Sequence, residues 1–128
     1  MIGTLAGLRD YASARGNPAP STASDEDANS ALVRANDYIE SAYPRAAMSP
    51  EDDRVIRAVY EAAIAELSKP GIWSRVWTEG EAKVLTEVKG IKWQVVGKGG
   101  SMTPRSTIID GLLHDYVSRR SPWMISTE

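Results

Sequence analysis

Cysteine is absent from this sequence, and histidine occurs once, as His114. Without cysteine the chain has no disulfides, no thiolate nucleophile and no cysteine-ligated zinc. A single histidine excludes histidine-rich metal sites and any mechanism that requires two histidines. We therefore expect a protein of a reducing compartment that uses no catalytic metal and no cofactor.

Long apolar runs and a surplus of positive charge are missing as well. No run approaches the roughly 20 apolar residues that cross a bilayer. The N-terminus has no charged start before an apolar stretch, and Ile2 stands where N-myristoylation needs glycine, so we expect neither a signal peptide nor that anchor. The net charge of −2 gives no general attraction to a phosphate backbone or an anionic membrane, and we expect no membrane partner.

The chain is long enough for one domain with its own core. It has 128 residues, of which 42% are apolar, as in ordinary globular proteins. We expect a single domain over residues 1–120 and a tail over residues 121–128.

Apolar residues recur at helical spacing in four stretches. The first helix is predicted over residues 4–14 and ends at Gly16-Asn17-Pro18. The second begins at Ser24, a capping residue followed by three acids, and ends before Pro44. The connections at residues 17–24 and 45–48 are predicted as loops.

The third and last helices have similar start signals. Ser49-Pro50 predicts a cap and a first helical residue, and Lys69-Pro70-Gly71 ends the third helix. Thr103-Pro104 predicts the start of the last helix, whose apolar stripe runs to Val117, with Arg119 and Arg120 at its C-terminal end and Pro122 beyond. Residues 72–82 stay ambiguous between a turn under the core and an exposed contact segment.

Between these two helices the apolar period changes from 3.6 to 2. Residues 83–88 and 91–96 are β-branched runs separated by Lys89-Gly90, which predicts a tight hairpin at 83–96. In this register Trp93 lies on the apolar face and Lys92 and Gln94 on the wetter face. Residues 97–101 are predicted as a flexible loop. The expected fold is mainly α: a small bundle of about four helices with one β-hairpin between the third and last.

The residues that could carry catalysis have simpler explanations. His114 and Asp110 are four residues apart on the predicted last helix, and we interpret them as a solvated surface pair rather than a catalytic dyad. The acids at 25–27 and 51–53 fall in the first turns of predicted helices, where the helix dipole favours them. We expect no enzymatic activity.

The segment 69–105 is basic and aromatic. It contains seven basic and three acidic side chains, and three of the four tryptophans. Positive charge beside aromatic rings is how proteins hold single-stranded nucleic acid. As an alternative function, this pattern predicts nucleic-acid contacts at Lys83, Lys89, Lys92 and Trp93.

The C-terminal tail is unusually apolar. Trp123-Met124-Ile125 lies beyond Pro122, where termini are usually frayed and polar. The three residues either fold back onto their own domain or insert into a partner's groove, with the tryptophan as anchor.

Four segments resemble a family of small tailed-phage proteins. Residues 10–17 resemble its "YxxxRGN" helix end, and residues 31–40 (ALVRANDYIE) resemble its most specific stretch, "ALIRATDYLD". Residues 84–91 are similar to "VxSEKVGxI", and Pro104 with residues 108–113 to "P…VDALL". The resemblance covers about residues 10–117, although the loop after the second helix is shorter than in many relatives.

This resemblance implies two functions. Members of the family are often labelled DnaT-like single-stranded-DNA-binding proteins. Their relatives resemble head–tail connector (adaptor, head-completion) proteins, which form a ring, commonly of twelve copies, under the portal. Such a ring extends the DNA channel without reading DNA sequence, and it docks the next neck protein, a stopper or tail terminator. A near-neutral chain suits a channel through which DNA slides, so the connector is the favoured expectation and the DNA binder the alternative.

The connector hypothesis assigns two contact regions. The tail is expected to bind the portal through Arg119, Arg120, Trp123, Met124 and Ile125. The hairpin and the segment before it are expected to lie between subunits, with contacts at Trp73, Trp77, Lys92 and Gln94.

Overall fold

The structure is a computed structural model that describes residues 1–74, 77–78, 91–95 and 101–117. In these ranges the helices are α1 (Leu5–Ala14), α2 (Ala19–Thr22), α3 (Asp25–Ala42), α4 (Pro44–Ala47), α5 (Asp53–Ser68) and α6 (Thr107–Leu112). The strands are β1 (Trp77–Thr78), β2 (Ile91–Val95) and β3 (Ser101–Ser106), and a 3₁₀ turn follows at His114–Tyr116. The predicted mainly α fold is confirmed. None of the helices in these ranges is long and apolar enough to cross a membrane.

The core lies chiefly between α3 and α5. The Ser24 hydroxyl accepts a hydrogen bond from the Asp27 N–H at 3.0 Å and starts α3, as predicted. The predicted apolar stripe of α3 is buried from Ala28 to Ile39 against the buried face of α5. The predicted loops at 17–24 and 45–48 are wrong in part, because they contain the one-turn helices α2 and α4.

The predicted start of the third helix at Ser49-Pro50 is wrong. The helix, α5, begins at Asp53 because the Asp52 carboxylate accepts the Arg54 N–H at 2.9 Å and caps it. The serine–proline pair lies in the connection before this cap. Asp52, one of the acids at 51–53 that were placed in the first turn of this helix, is its cap instead.

The N-terminus is tied to both long helices. The Ile2 N–H donates to Asn36 Oδ1 at 2.7 Å, and the Asn36 amide donates back to the Ile2 carbonyl at 3.0 Å. The Thr4 N–H donates to the Tyr60 hydroxyl at 3.1 Å. These contacts fix α1 against α5, with Leu8 fully buried.

Replacing Gly7 and Gly111, two glycines within helices, with alanine should change the free energy of unfolding in opposite directions. A Cβ at Gly7 would overlap the Tyr60 hydroxyl oxygen, whereas a Cβ at Gly111 meets nothing within 4 Å. Gly7→Ala should therefore lower the free energy of unfolding by about 1–2 kcal/mol, since overpacking outweighs the gain in helix propensity. Gly111→Ala should raise it by about 0.5–1 kcal/mol.

Urea denaturation of the two variants tests this difference. A Tyr60→Phe background, which lacks the overlapping hydroxyl, should reduce the penalty of Gly7→Ala. Equal effects of the two alanines, or a penalty unchanged by Tyr60→Phe, would show that the close approach of α1 to Tyr60 is wrong.

β3 lies in the middle of a three-stranded antiparallel sheet of order β1-β3-β2. Ile91 pairs with Ser106 at one end of β2, and Val95 pairs with Met102 at the other. The predicted strand at 91–96 is confirmed for Ile91–Val95, but its described partner is a segment predicted as a loop and a helix start. The other predicted strand, 83–88, and its turn at Lys89-Gly90 lie outside the described residues.

The prediction that Thr103-Pro104 begins the last helix is wrong, because both residues lie within β3 opposite Gln94 and Trp93. This position suits proline, which has no N–H to donate, since the described pairing on the β1 side ends at Met102. The helix begins at Thr107 and is capped by Ser106, whose hydroxyl accepts the Ile109 N–H at 3.2 Å.

The last helix is also shorter than predicted. α6 ends at Leu112 rather than at Arg119 and Arg120, and the 3₁₀ turn follows. Two contacts hold this turn against the start of α5: Tyr116 donates to the Asp52 carboxylate, and Arg54 Nη1 lies 2.7 Å from an oxygen of Asp115. If residues 113–116 continued α6 as an α-helix, the side chains of Asp115 and Tyr116 would point in other directions and would not make these two contacts.

Candidate functional site

An open groove runs along one side of α3. It consists of three adjoining cavities of about 300, 160 and 270 Å³, of which the first two share Arg34 and the last two share Tyr38, Ser41 and Trp73. We call it the α3 groove. Its α3 residues run from Asp27 to Ala42, a length of about 22 Å at the helical rise per residue.

Stacked aromatic rings line the middle of the α3 groove. The rings of Tyr38 and Trp73 are stacked with centroids 4.2 Å apart, and the ring of Tyr43 meets that of Tyr38 edge-on at 6.1 Å. The indole N–H of Trp73 donates to the Ala62 carbonyl on α5 at 2.9 Å. Because the tryptophan is fixed at its polar edge, the groove has a rigid aromatic wall.

One end of the α3 groove carries a hydrogen-bonded charge cluster. Arg105 Nη2 lies 3.0 Å from Asp110 Oδ1, and the Tyr43 hydroxyl donates to the same oxygen. The carboxylate raises the pKa of Arg105, while burial and the carboxylate together raise the pKa of Tyr43. The cluster joins the end of α3 to β3 and α6.

The other end is the cavity of about 300 Å³, which we call the Glu66 cavity; it is lined by Asp27, Ser30, Ala31, Arg34, Glu66, Leu67 and Pro70. Glu66 is only 2% exposed. Its Oε2 accepts from Arg34 Nη1 at 3.0 Å and from the Gly71 N–H at 2.7 Å. Its Oε1 is buried and has no hydrogen-bond partner within the part of the chain that the structure describes.

This carboxylate also shapes the chain after α5. Gly71 has φ +86°, the left-handed region that glycine adopts without strain, and its N–H is the one that Glu66 accepts. The turn directs Ile72 into the core and Trp73 onto the groove wall. Within the ambiguous segment 72–82, the core interpretation is confirmed for Ile72, whereas Trp73 packs against the core with one side and lines the open groove with the other.

Tyrosine burial predicts a loss of stability at alkaline pH. Burial and the hydrogen bond to Glu61 raise the pKa of Tyr11 to about 12, and burial raises the pKa of Tyr38 and Tyr43. Below the ordinary tyrosine pKa of 10.0 the hydroxyl is protonated in both states, and the stabilisation is complete. Above it the unfolded state loses the proton first, so the free energy of unfolding should fall as pH rises from about 10 to about 12.

Denaturant titrations at several alkaline pH values measure this slope. A Tyr11→Phe variant controls for lysine titration, and its free energy of unfolding should fall less steeply with pH than that of the parent. Identical slopes for the two proteins would contradict the assignment to Tyr11.

Few of the predicted contact residues lie among those described. Trp73 is half-buried and packs within its own chain, and its role between subunits stays a prediction. Lys92 is exposed and Trp93 is half-buried, and as neighbours in β2 they point to opposite faces. For Trp77 and Gln94 only the backbone is described, in β1 and β2. The remaining predicted site residues lie outside the described ranges: Lys83, Lys89, Arg119, Arg120, Trp123, Met124 and Ile125.

Sequence reasoning missed Glu66 and the α3 groove. The sequence did contain a signal for Glu66. It lies three or four residues after Ala62 and Ala63, which themselves follow Val59 at the same helical spacing, and all of these residues are buried in α5. A carboxylate at a stripe position marks a buried charge. For Arg105 no local signal existed, since its place in a strand depends on pairing with β2.

The described residues show no arrangement typical of an active site. They contain no group of three or more side chains that could hold a metal ion. His114 is exposed in the 3₁₀ turn, so it does not share a continuous α-helix with Asp110. No model of a protein family, no curated protein and no solved structure matches this chain.

Proposed function

We propose that this protein is a head–tail connector (adaptor) of a tailed phage or a phage-like particle. The α3 groove carries this proposal, because it is long, open, aromatic along its wall and charged at both ends. Small-molecule sites are usually enclosed pockets, whereas an open groove of about 22 Å accommodates a segment of a protein partner. Docking of protein segments is the main activity that a connector needs.

The resemblance to the tailed-phage family involves the same surface. In the stretch 31–40, four of the five apolar positions of the motif are buried in α3, at Ala31, Leu32, Ala35 and Ile39, and the fifth, Val33, is 47% exposed. The polar positions that this chain shares with the motif, Arg34, Asp37 and Tyr38, line the groove. The motif therefore accounts for both a helix that packs and a face that binds.

The proposed assembly is a ring, commonly of twelve copies, at the head–tail junction of the virion. The ring binds the portal on one side and the next neck protein, a stopper or tail terminator, on the other, and is made in the host cytoplasm. DNA passes through its channel without sequence readout. With a net charge of −2, the subunit offers little counterion release that would hold the DNA in place.

Single-stranded-DNA binding is the second candidate function, and the geometry of β2 weakens it. A stacking platform needs cationic and aromatic side chains on one face, but Lys92 and Trp93 point to opposite faces of β2. Binding measured against salt distinguishes the two functions. A backbone binder loses affinity with a log–log slope of about −0.7 for each phosphate contacted, whereas a connector should show no measurable affinity for free strands.

The portal contact is tested with a tail deletion. The full chain should co-sediment with purified portal, and a chain lacking residues 121–128 should lose at least about tenfold in affinity because it lacks the apolar anchor. An Asp10→Asn variant serves as the control, since it changes an exposed charge on α1 that none of the proposed contacts uses. Unfolding curves show whether the deletion leaves the fold intact.

Two outcomes of this experiment are decisive. If the shortened chain binds the portal as tightly as the full chain, the tail is not the anchor. If neither chain binds, the connector function itself is contradicted.

A further inference from the structure

The connection between α3 and α5 presents one basic and one apolar side chain to solvent. Arg45 is exposed on α4, and Met48, three residues later, is 81% exposed, more than the other exposed large apolar side chains described. We call this pair the α4 knob. Residues three apart on a helical turn project from the same side.

Arg45 differs from the other described arginines. Each of the others has an ion pair, a hydrogen bond or a ring contact: Arg9, Arg15, Arg34, Arg54, Arg57 and Arg105. For Arg45 the described part of the chain contains none of these contacts. The α4 knob therefore carries a solvated cation with no ion pair among the described residues and an uncovered apolar side chain.

The Glu66 cavity complements the α4 knob in charge and in apolar surface. It holds two carboxylates and one guanidinium, and that guanidinium is already bound to Glu66 Oε2. A buried oxygen without a partner, here Oε1, costs free energy that a cationic donor would offset. The apolar part of the lining, Ala31, Leu67 and Pro70, suits a methionine side chain.

We propose that the α4 knob of one copy inserts into the Glu66 cavity of the next. Arg45 enters the cavity beside the Asp27 and Glu66 carboxylates and displaces the side chains that cover Glu66 Oε1, so that it can donate to this oxygen, while Met48 covers Leu67 and Pro70. This inference rests on the proposed ring and names a contact that builds it. A knob cannot fill the cavity of its own chain, because about 18 Å of helix separates Ser30 from Ala42 at the end of α3.

This contact is heterologous, since two different surfaces meet. The knob and the cavity lie at opposite ends of the α3–α5 pair, so each copy uses both surfaces, one toward each neighbour. Such head-to-tail contacts close into a ring when the rotation per copy allows it, and otherwise form filaments. A two-fold dimer, by contrast, would place knob against knob.

Engineered cysteines test the contact cleanly, because the natural chain has none. Met48→Cys and Ser30→Cys place one thiol on the knob and one at the cavity, on exposed positions. The two variants are mixed at about 1 mM, which populates even a millimolar contact, and treated with a short bismaleimide. The mixture should give a 1:1 cross-linked dimer, and each variant alone should give none.

Asn29→Cys supplies the matched control. It is exposed and adjacent to Ser30 but lies about 100° around the helix and does not line the cavity. Its mixture with Met48→Cys should not cross-link. Adding Arg45→Glu to the knob variant should lower the yield of the cavity pair by about tenfold, because a carboxylate would then face Glu66 and Asp27.

Three results would overturn the proposal. These are no cross-link in the Met48→Cys and Ser30→Cys mixture, an equal yield with Asn29→Cys, and efficient cross-linking of Met48→Cys alone, which would indicate a two-fold dimer. Failure of this cross-linking test can be distinguished from failure of the connector function. A protein that is found in particles at one copy per portal subunit but does not cross-link here forms its ring through another surface.

Discussion

Replacing Leu32 with alanine should lower the free energy of unfolding by about 2–5 kcal/mol. Leu32 is completely buried at the centre of α3, where it faces α5 in the most extensive helix contact among those described. The substitution removes apolar surface that the core shields from water and leaves a cavity that two rigid helices cannot close. Denaturant unfolding measures the loss, with an unchanged dependence on denaturant as the sign that only stability has changed.

Val33→Ala is the matched control for this substitution. Val33 is adjacent in the same helix but 47% exposed, and alanine has the higher helix propensity. Its stability should therefore be unchanged or raised by a few tenths of a kcal/mol. Equal losses at the two positions would mean that α3 does not present its predicted stripe to α5.

Replacing Glu66 with alanine should lower the free energy of unfolding by about 2–3 kcal/mol. The change leaves the Gly71 N–H without its acceptor and Arg34 without its ion pair. Relief of the unpartnered Oε1 offsets part of this loss. Because Arg34 is half exposed, water can solvate its guanidinium when the ion pair is lost. The loss of the Gly71 hydrogen bond therefore dominates the change in the free energy of unfolding.

Glu66→Gln separates the hydrogen bond from the charge. The glutamine carbonyl oxygen still accepts from Gly71 and Arg34, and a neutral amide costs less to bury than a carboxylate. The glutamine variant should lie within about 1 kcal/mol of the parent. A glutamine as destabilising as the alanine, measured by the same unfolding curves, would contradict the dominant role of the Gly71 hydrogen bond.

The helices could be predicted from the sequence where one local signal stood alone. Ser24 with three acids after it could form only one cap, and α3 begins there. At residues 49–53 two cap signals compete, and the later one forms because Asp52 also binds Tyr116 from a distant part of the chain. That distant contact is not readable from local sequence.

The sheet was less predictable than the helices. Thr103-Pro104 is a good helix start by itself, but pairing with β2 draws these residues into a strand. Ser106, three residues after Thr103, then provides the cap that the shortened helix uses. Tertiary pairing here overrides a local propensity, as it commonly does.

The candidate site was the least predictable part. The sequence predicts Trp73 as a contact between subunits within an ambiguous segment, but its stack on Tyr38 and its hydrogen bond to Ala62 join α3, α5 and the turn after α5. The groove exists because the turn after α5, held by Glu66, returns this tryptophan to α3. The one sequence signal for the groove was the position of Glu66 in the apolar stripe of α5.

The abundance of the protein in purified virus particles tests its proposed function most directly. Quantitative mass spectrometry of particles from the source phage or phage-like element gives the ratio of this chain to the portal protein. About one copy per portal subunit is the expected result for a connector ring. Absence from particles, together with abundance in infected-cell extracts, would contradict the connector function and favour the binding of single-stranded DNA.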